Sequence, residues 1–245
     1  MKTDKRHSLI LPQWLIGLLL FISSITPAVA DGLKLQAFTA NYSLHIAGLH
    51  VGHSKLLLNQ SGDLWRWQTS TKPIGFYRLF SKKKPYSETQ FLSGTGRHLI
   101  QNIVISDEGD NNLLETAHFN WQERQATILR KKVTSTATIS ADVYDYHSIN
   151  WLVANMMKGE ESELEVDFYN KGEIVRSNIK RIDNQSIEVN GKNISAWVYE
   201  QSTVNSKSSL RYYFNSSKPL VPLKIEKLKP GKKPAILLLQ SVVWG

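Results

Sequence analysis

Three histidines fall within nine residues in the stretch YSLHIAGLHVGHSKLLL, at His45, His50 and His53. Imidazole nitrogens suit zinc, copper or nickel, so His50-x-x-His53 has the composition of a metal pair. The zinc-protease pattern asks for two helical histidines with a glutamate after the first, and neither that glutamate nor a helical period is present. No carboxylate lies between Asp31 and Asp63 to complete a local site. Tyr42, Leu44 and Ile46 alternate with Ser43 and His45, while Gly48 and Gly52 bracket Leu49, His50 and Val51. This predicts a hairpin turning near Leu49, with His45 and His53 opposite each other on adjacent strands. The stretch is therefore read as a hairpin, with no metal and no cofactor.

Other reactive patterns are sparse. There is no Gly-x-Ser-x-Gly elbow, phosphate loop or dinucleotide fingerprint. Ser81 and Lys84 have Ser-x-x-Lys spacing without companion motifs. His147 near Asp142 and Asp145 has the makings of an acid–base pair, although capping a helix is the simpler use of that aspartate. Glu160, Glu161 and Glu163 supply carboxylates of the kind that glycoside hydrolysis uses in facing pairs. Absence of cysteine excludes a thiol nucleophile, a cysteine-bound metal and a disulfide framework.

The richest segment is KPIGFYRLFSKKKPYSETQF, residues 72–91. It interleaves Phe76, Tyr77, Phe80 and Tyr86 with Lys72, Arg78, Lys82, Lys83 and Lys84. Aromatic rings rest on acyl chains or sugar rings, while cations pair with phosphate or carboxylate. The plain alternative is a solvated basic loop beside core aromatics.

The elements that must position these residues read as β-strands. Period-two alternation recurs through LWRWQTS, HLIQNIVIS, LLETAHFNW, QATILRKKVTSTATIS, LEVDFYN, EIVRSNIKRI, SAWVYEQSTV, LRYYFN, LVPLKIEKL and AILLLQSVVW. Turn residues separate them, as at Ser61-Gly62-Asp63, Asn190-Gly191 and Pro230-Gly231. The expected fold is mainly β: an antiparallel meander curled into a barrel or half-barrel, because a long open sheet twists and exposes its edges. One segment, DYHSINWLVANMMKG, breaks the pattern. Ile149, Leu152, Val153, Met156 and Met157 repeat at helical spacing and predict one amphipathic helix packed against the sheet. Asp145 or Ser148 is placed to cap its start and Gly159 its end. Two methionines on one face suit either a plug or a gate over an apolar cavity.

The N-terminus predicts export. Lys2, Lys5 and Arg6 precede an apolar run from Leu15 to Ile25, and Ala28 and Ala30 have the small-x-small form of a cleavage site. The run is too short for a spanning helix, which needs about 20 apolar residues. Residues 1–30 are expected to be a cleaved signal peptide and residues 31–245 a single β-rich, periplasmic domain, not a lipoprotein. The chain carries a net charge of +9 over 245 residues; the leader holds three bases and one acid, so its removal leaves +7. In the periplasm such charge meets lipid head groups and acidic glycans, not nucleic acid.

The early hairpin with Gly48 and Gly52, the Tyr144-Asp145 pair and Pro222-Leu223-Lys224-Ile225 together resemble the bacterial domain-of-unknown-function 3108 family of exported, mainly β proteins. The resemblance runs from about Phe38 to Trp244. That family usually follows its Tyr-Asp pair with Pro-Leu-Ser, where this chain has Tyr146-His147-Ser148. The resemblance implies compartment and fold, and carries no catalytic residues.

The function these observations favour is a binding or carrier module for an amphiphilic or anionic envelope component, a lipid or a glycan, with peripheral membrane contact. Its candidate residues are Lys72, Phe76, Tyr77, Arg78, Phe80, Lys82, Lys83, Lys84, Met156 and Met157. An envelope polysaccharide hydrolase or lyase, and a structural partner in an envelope complex, stand as alternatives.

Overall fold

The computed structural model describes residues 33–80, 83–94, 97–107 and 112–245. The predicted leader, residues 1–30, lies outside them. The elements are β1 (Phe38–Ile46), β2 (Leu49–Ser61), β3 (Leu64–Pro73), α1 (Tyr77–Phe80), β4 (Pro85–Gly94), β5 (Arg97–Asp107), β6 (Asn112–Asn120), β7 (Gln125–Arg130), β8 (Val133–Thr138) and β9 (Val143–Tyr144). They continue with α2 (Ile149–Lys158), β10 (Glu163–Asn170), β11 (Glu173–Val189), β12 (Lys192–Thr203), β13 (Ser209–Phe214), β14 (Pro222–Lys229) and β15 (Lys232–Trp244). All the strands form one sheet in the order β8-β7-β6-β5-β4-β3-β2-β1-β15-β14-β13-β12-β11-β10-β9. Every pairing is antiparallel except β9 on β10. Among the described residues no helix is long and apolar enough to cross a membrane.

The alternation read in the sequence is what curls the sheet. On β1, Phe38, Ala40 and Tyr42 are buried, and β15 brings Trp244, Val242 and Leu239 beside them on the same face. Side chains of one parity therefore fill a concave interior, and those of the other face water. The curl brings the ends of the sheet together without closing it. Tyr169 on β10 donates its hydroxyl to Glu115 Oε1 on β6 at 2.7 Å, and Arg130 holds Glu115 Oε2 at 2.8 Å. Phe119, Ile128, Val143 and Tyr169 pack beneath that seam as a separate apolar cluster. The fold is the expected half-barrel, and among the described residues α2 is its one helix longer than a single turn.

Helix α2 lies deeper than a one-sided amphipathic helix. Trp151, Ala154 and Asn150 are buried along with Ile149, Leu152, Val153 and Met156, so its first two turns are covered on every side. A helix enclosed by a curled sheet has no wide solvent face. It packs with Phe38, Trp67, Phe91 and Phe214 in the main core. Its end departs from the expected glycine cap. Gly159 keeps a right-handed φ of −84°, and Glu160 takes the left-handed conformation instead, at φ 59°. Glu161 N–H closes the motif on Met156 O at 2.9 Å.

Two strand boundaries differ from the sequence reading. QATILRKKVTSTATIS is a hairpin, β7 and β8, because Lys131 and Lys132 both adopt positive φ. The segment 72–91 is divided: Lys72 and Pro73 end β3, and residues from Pro85 onward form β4, flanked by β3 and β5.

Candidate functional site

Because neighbouring strands are antiparallel, their turns alternate between two rims. One rim collects the β1–β2 turn, the β3–β4 connection, the β7–β8 turn and the β14–β15 turn. Lys72 is exposed near the end of β3. Gly75, at φ 51°, turns the chain so that Tyr77 N–H reaches Ile74 O and Arg78 N–H reaches Gly75 O. This short α1 turn leaves Phe76 67% exposed and Tyr77 half-buried, while Arg78 donates Nε–H to Pro73 O at 3.1 Å. Lys83 and Lys84 are exposed, with the Lys84 backbone N–H bound to Asp107 Oδ1 at 2.7 Å. Lys82 and the side chain of Phe80 lie outside the described residues. Tyr86 leaves the cluster: it sits on the outer face of β4, hydrogen-bonded to Gln68 and Glu88.

The same rim exposes apolar side chains from other turns. Leu49 is 59% and Ile46 49% exposed at the hairpin tip, and Val133 stands out beside Lys131 and Lys132. Lys232 and Lys233 are exposed at the β14–β15 turn. Of the described acids there, Asp107 is buried, Glu226 is paired with Lys224, and Glu173 is exposed. The rim is thus cationic with apolar side chains standing among the charges. Met156 is sealed in the core and Met157 packs half-buried against it, and no described contact joins either to the rim cations.

The histidines sit at this rim in a different register from the expected one. The turn is Ala47-Gly48, with φ 54° and 85°, both left-handed as a type I′ hairpin requires. His45 therefore pairs with His50, and Ser43 with His53, across a bulge after Leu44. Gly52 lies inside β2, where a Cβ would come within 2.7 Å of Lys72 O. The His45 and His50 rings stack at 5.1 Å, and His50 meets His53 edge-on at 4.9 Å. His50 Nε2 lies 3.0 Å from Gly52 O and His45 Nε2 3.0 Å from Ser43 Oγ, so both nitrogens are already engaged. Among the described residues no trio of His, Asp or Glu converges as a metal site.

The Asp145–His147 pair is buried at the start of α2. Asp145 Oδ1 accepts the backbone N–H of His147 and Ser148, at 3.2 and 2.8 Å, and Ser148 Oγ accepts the Asp145 N–H at 2.6 Å. This reciprocal cap makes Asp145 the organiser of the turn, whereas Ser148, in the N-cap position, makes no side-chain cap bond to the helix. Thr89 donates its hydroxyl to Asp145 Oδ2. The same Thr89 oxygen lies 2.8 Å from His147 Nδ1, and His147 Nε2 lies 2.9 Å from Thr69 Oγ1. Burial alone raises the Asp145 carboxyl, but the hydrogen bond and charge of His147, with Thr89 and the Ser148 N–H, outweigh it and hold the group far below the usual carboxylate range. Each polar atom of the pair is spent on a neighbour, and no described cavity is lined by Asp145, His147 or Glu163. Glu163 is engaged by Asn178 and Lys180. Thr69 and Thr89 were not singled out from sequence; the available signal was a hydroxyl at the inward parity shared with Trp67 and Phe91.

A single curled sheet wrapped around an internal helix, with its Tyr144-Asp145 turn at the helix start, defines the class. The chain belongs to the family described as Protein of unknown function (DUF3108), whose model matches residues 41–233. Among solved structures it is similar to a β-barrel-like protein of domain of unknown function DUF1849 from Brucella abortus. That match has a TM-score of 0.58 at 10% identity and covers 87% of this chain and 99% of the other. A protein from Bacteroides fragilis with a YmcC-like fold also matches, with a TM-score of 0.36 at 7% identity over 86% of this chain and 97% of the other. No curated protein matches the chain.

Proposed function

We propose that this protein is a periplasmic binding or carrier module for an amphiphilic, anionic component of the cell envelope, and that it meets lipid through the cationic rim. The observation that carries the reading is the joint exposure of Leu49 and Phe76 among Lys72, Arg78, Lys83 and Lys84. Apolar side chains enter the acyl boundary while the lysines pair with phosphate, so the two features reinforce each other on a lipid surface. A glycan offers the cations a partner but gives Leu49 nothing to enter, which places lipid ahead of it.

The test is flotation with vesicles of phosphatidylcholine alone or mixed with phosphatidylglycerol. The protein should float with the anionic vesicles and lose that binding as salt is raised. Removing two surface cations, Lys83→Ala with Lys84→Ala, should weaken partitioning about 30-fold, taking ~1 kcal/mol for each charge near an anionic surface. Phe76→Asp should weaken it further. Equal flotation with both vesicle types, or no loss in these variants, overturns the rim as the contact surface.

A further inference from the structure

The opposite rim carries a cavity that the cationic rim does not explain. There the β11–β12 turn, the β13–β14 loop and the end of β15 surround the mouth of the half-barrel. Two adjoining cavities, of about 350 and 480 Å³, share Ser217 and Lys218 as a common wall. The floor of the smaller one is formed by Val189, Val221, Leu223 and Leu239, all buried members of the main core. Its volume falls in the range of about 300–1,000 Å³ typical of small-molecule sites, and barrel mouths are a preferred place for them.

The lining has one sign of charge. Lys34, Lys192 and Lys218 stand at its edges, and no described lining residue of either cavity is an acid. Lys218 Nζ lies 5.5 Å from the Trp244 ring, which walls the larger cavity. An apolar floor with a lysine edge describes a receptor for one alkyl chain bearing an anionic head.

We infer that this mouth is a binding site for a single-chain anionic amphiphile, a fatty acid or a lysophospholipid, with the chain over Val221, Leu223 and Leu239 and the head at Lys218 and Trp244. The inference rests on the amphiphile reading above but not on the cationic rim. It gives a carrier separate places for its cargo and for the membrane it visits.

The test is titration of the purified protein with cis-parinaric acid, whose emission rises in an apolar site, followed by displacement with oleate or lysophosphatidylglycerol. One probe should bind per chain. Because the probe itself bears a carboxylate, the heads are ranked by potency: displacement at lower oleate assigns a carboxylate head, and at lower lysophospholipid a phosphate head. Lys218→Glu, at an exposed position, should weaken probe binding roughly 30-fold by reversing the charge at the head. Val242→Trp should fill the mouth and abolish binding, and Phe76→Asp on the other rim should leave it unchanged. If Val242→Trp does not fold, Lys218→Glu still decides. Probe binding that both mouth variants leave intact, or that Phe76→Asp removes, overturns the site. Wild-type protein that floats with anionic vesicles but takes no probe refutes this site alone; protein that does neither refutes the amphiphile reading as well.

Discussion

His98 is an imidazole in a place built for a hydrocarbon. It is fully buried on β5, stacked on Phe91 with ring centroids 3.8 Å apart and near Trp151 at 5.4 Å. Neither ring nitrogen has a hydrogen-bond partner of good geometry. Burial pushes its pKa down from 6.5 to about 4; the Asp145 charge and a local backbone bond pull the other way without restoring it. The unfolded chain therefore takes up a proton near pH 6.5 that the folded chain refuses until about pH 4. Stability tied to neutral His98 is complete above pH 6.5, falls as pH drops through that window, and levels off below it. At about 1.36 kcal/mol per pH unit, roughly 2–3 kcal/mol is lost by pH 4.5. That is a large share of the ~5–15 kcal/mol that holds a domain folded. His98→Phe removes the titration while keeping an aromatic ring against Phe91. Urea unfolding of both proteins at pH 7.5 and pH 4.5 gives the comparison. The variant should gain on the wild type by roughly 2–3 kcal/mol on going to the lower pH, with similar m-values. A wild-type-to-variant difference that is the same at both pH values refutes the argument that His98 is buried neutral.

Two further substitutions probe the frame. Gly52→Ala drives a Cβ into the Lys72 carbonyl and should destabilise by about 1–3 kcal/mol, seen as a lower urea midpoint; an unchanged midpoint would mean that β2 and β3 are not so close. Asp145→Asn removes the charge that binds the α2 turn and Thr89, and should cost about 2–3 kcal/mol near pH 7. Because the folded carboxyl is held far below its unfolded value, that cost should shrink as pH falls below about 3.9, and a cost that stays constant in acid would contradict the assignment.

What could be read from sequence and what could not divide along physical lines. Strand alternation was visible because one sheet face is dry and the other wet, as at Phe38, Ala40 and Tyr42. The helix was visible through Ile149, Leu152, Val153 and Met156, but its enclosure was not, since Trp151 and Ala154 become buried only once the sheet curls around them. Hairpin register turned on a single feature. Two glycines four apart offered two turn positions, and the close approach of Lys72 O to Gly52 decides for Ala47-Gly48. The split at Lys131-Lys132 was hidden because lysines carry no turn signal, yet both adopt positive φ. The basic–aromatic residues were conspicuous in sequence. Their neighbours on the rim, Leu49, Val133 and Lys232, come from distant turns that only the strand order brings to one end. The mouth at the other rim is likewise assembled from β11, the β13–β14 loop and β15, so no local motif announces it.

The most direct measurement of the central claim is native mass spectrometry of the protein purified, without detergent, from the cells that make it. Binding or carriage of an amphiphile predicts a population heavier than the bare chain by a lipid-sized mass. That mass should disappear on denaturation and be recovered in an organic extract. A bare chain in every preparation, from protein that also fails to float with anionic vesicles, would contradict the account.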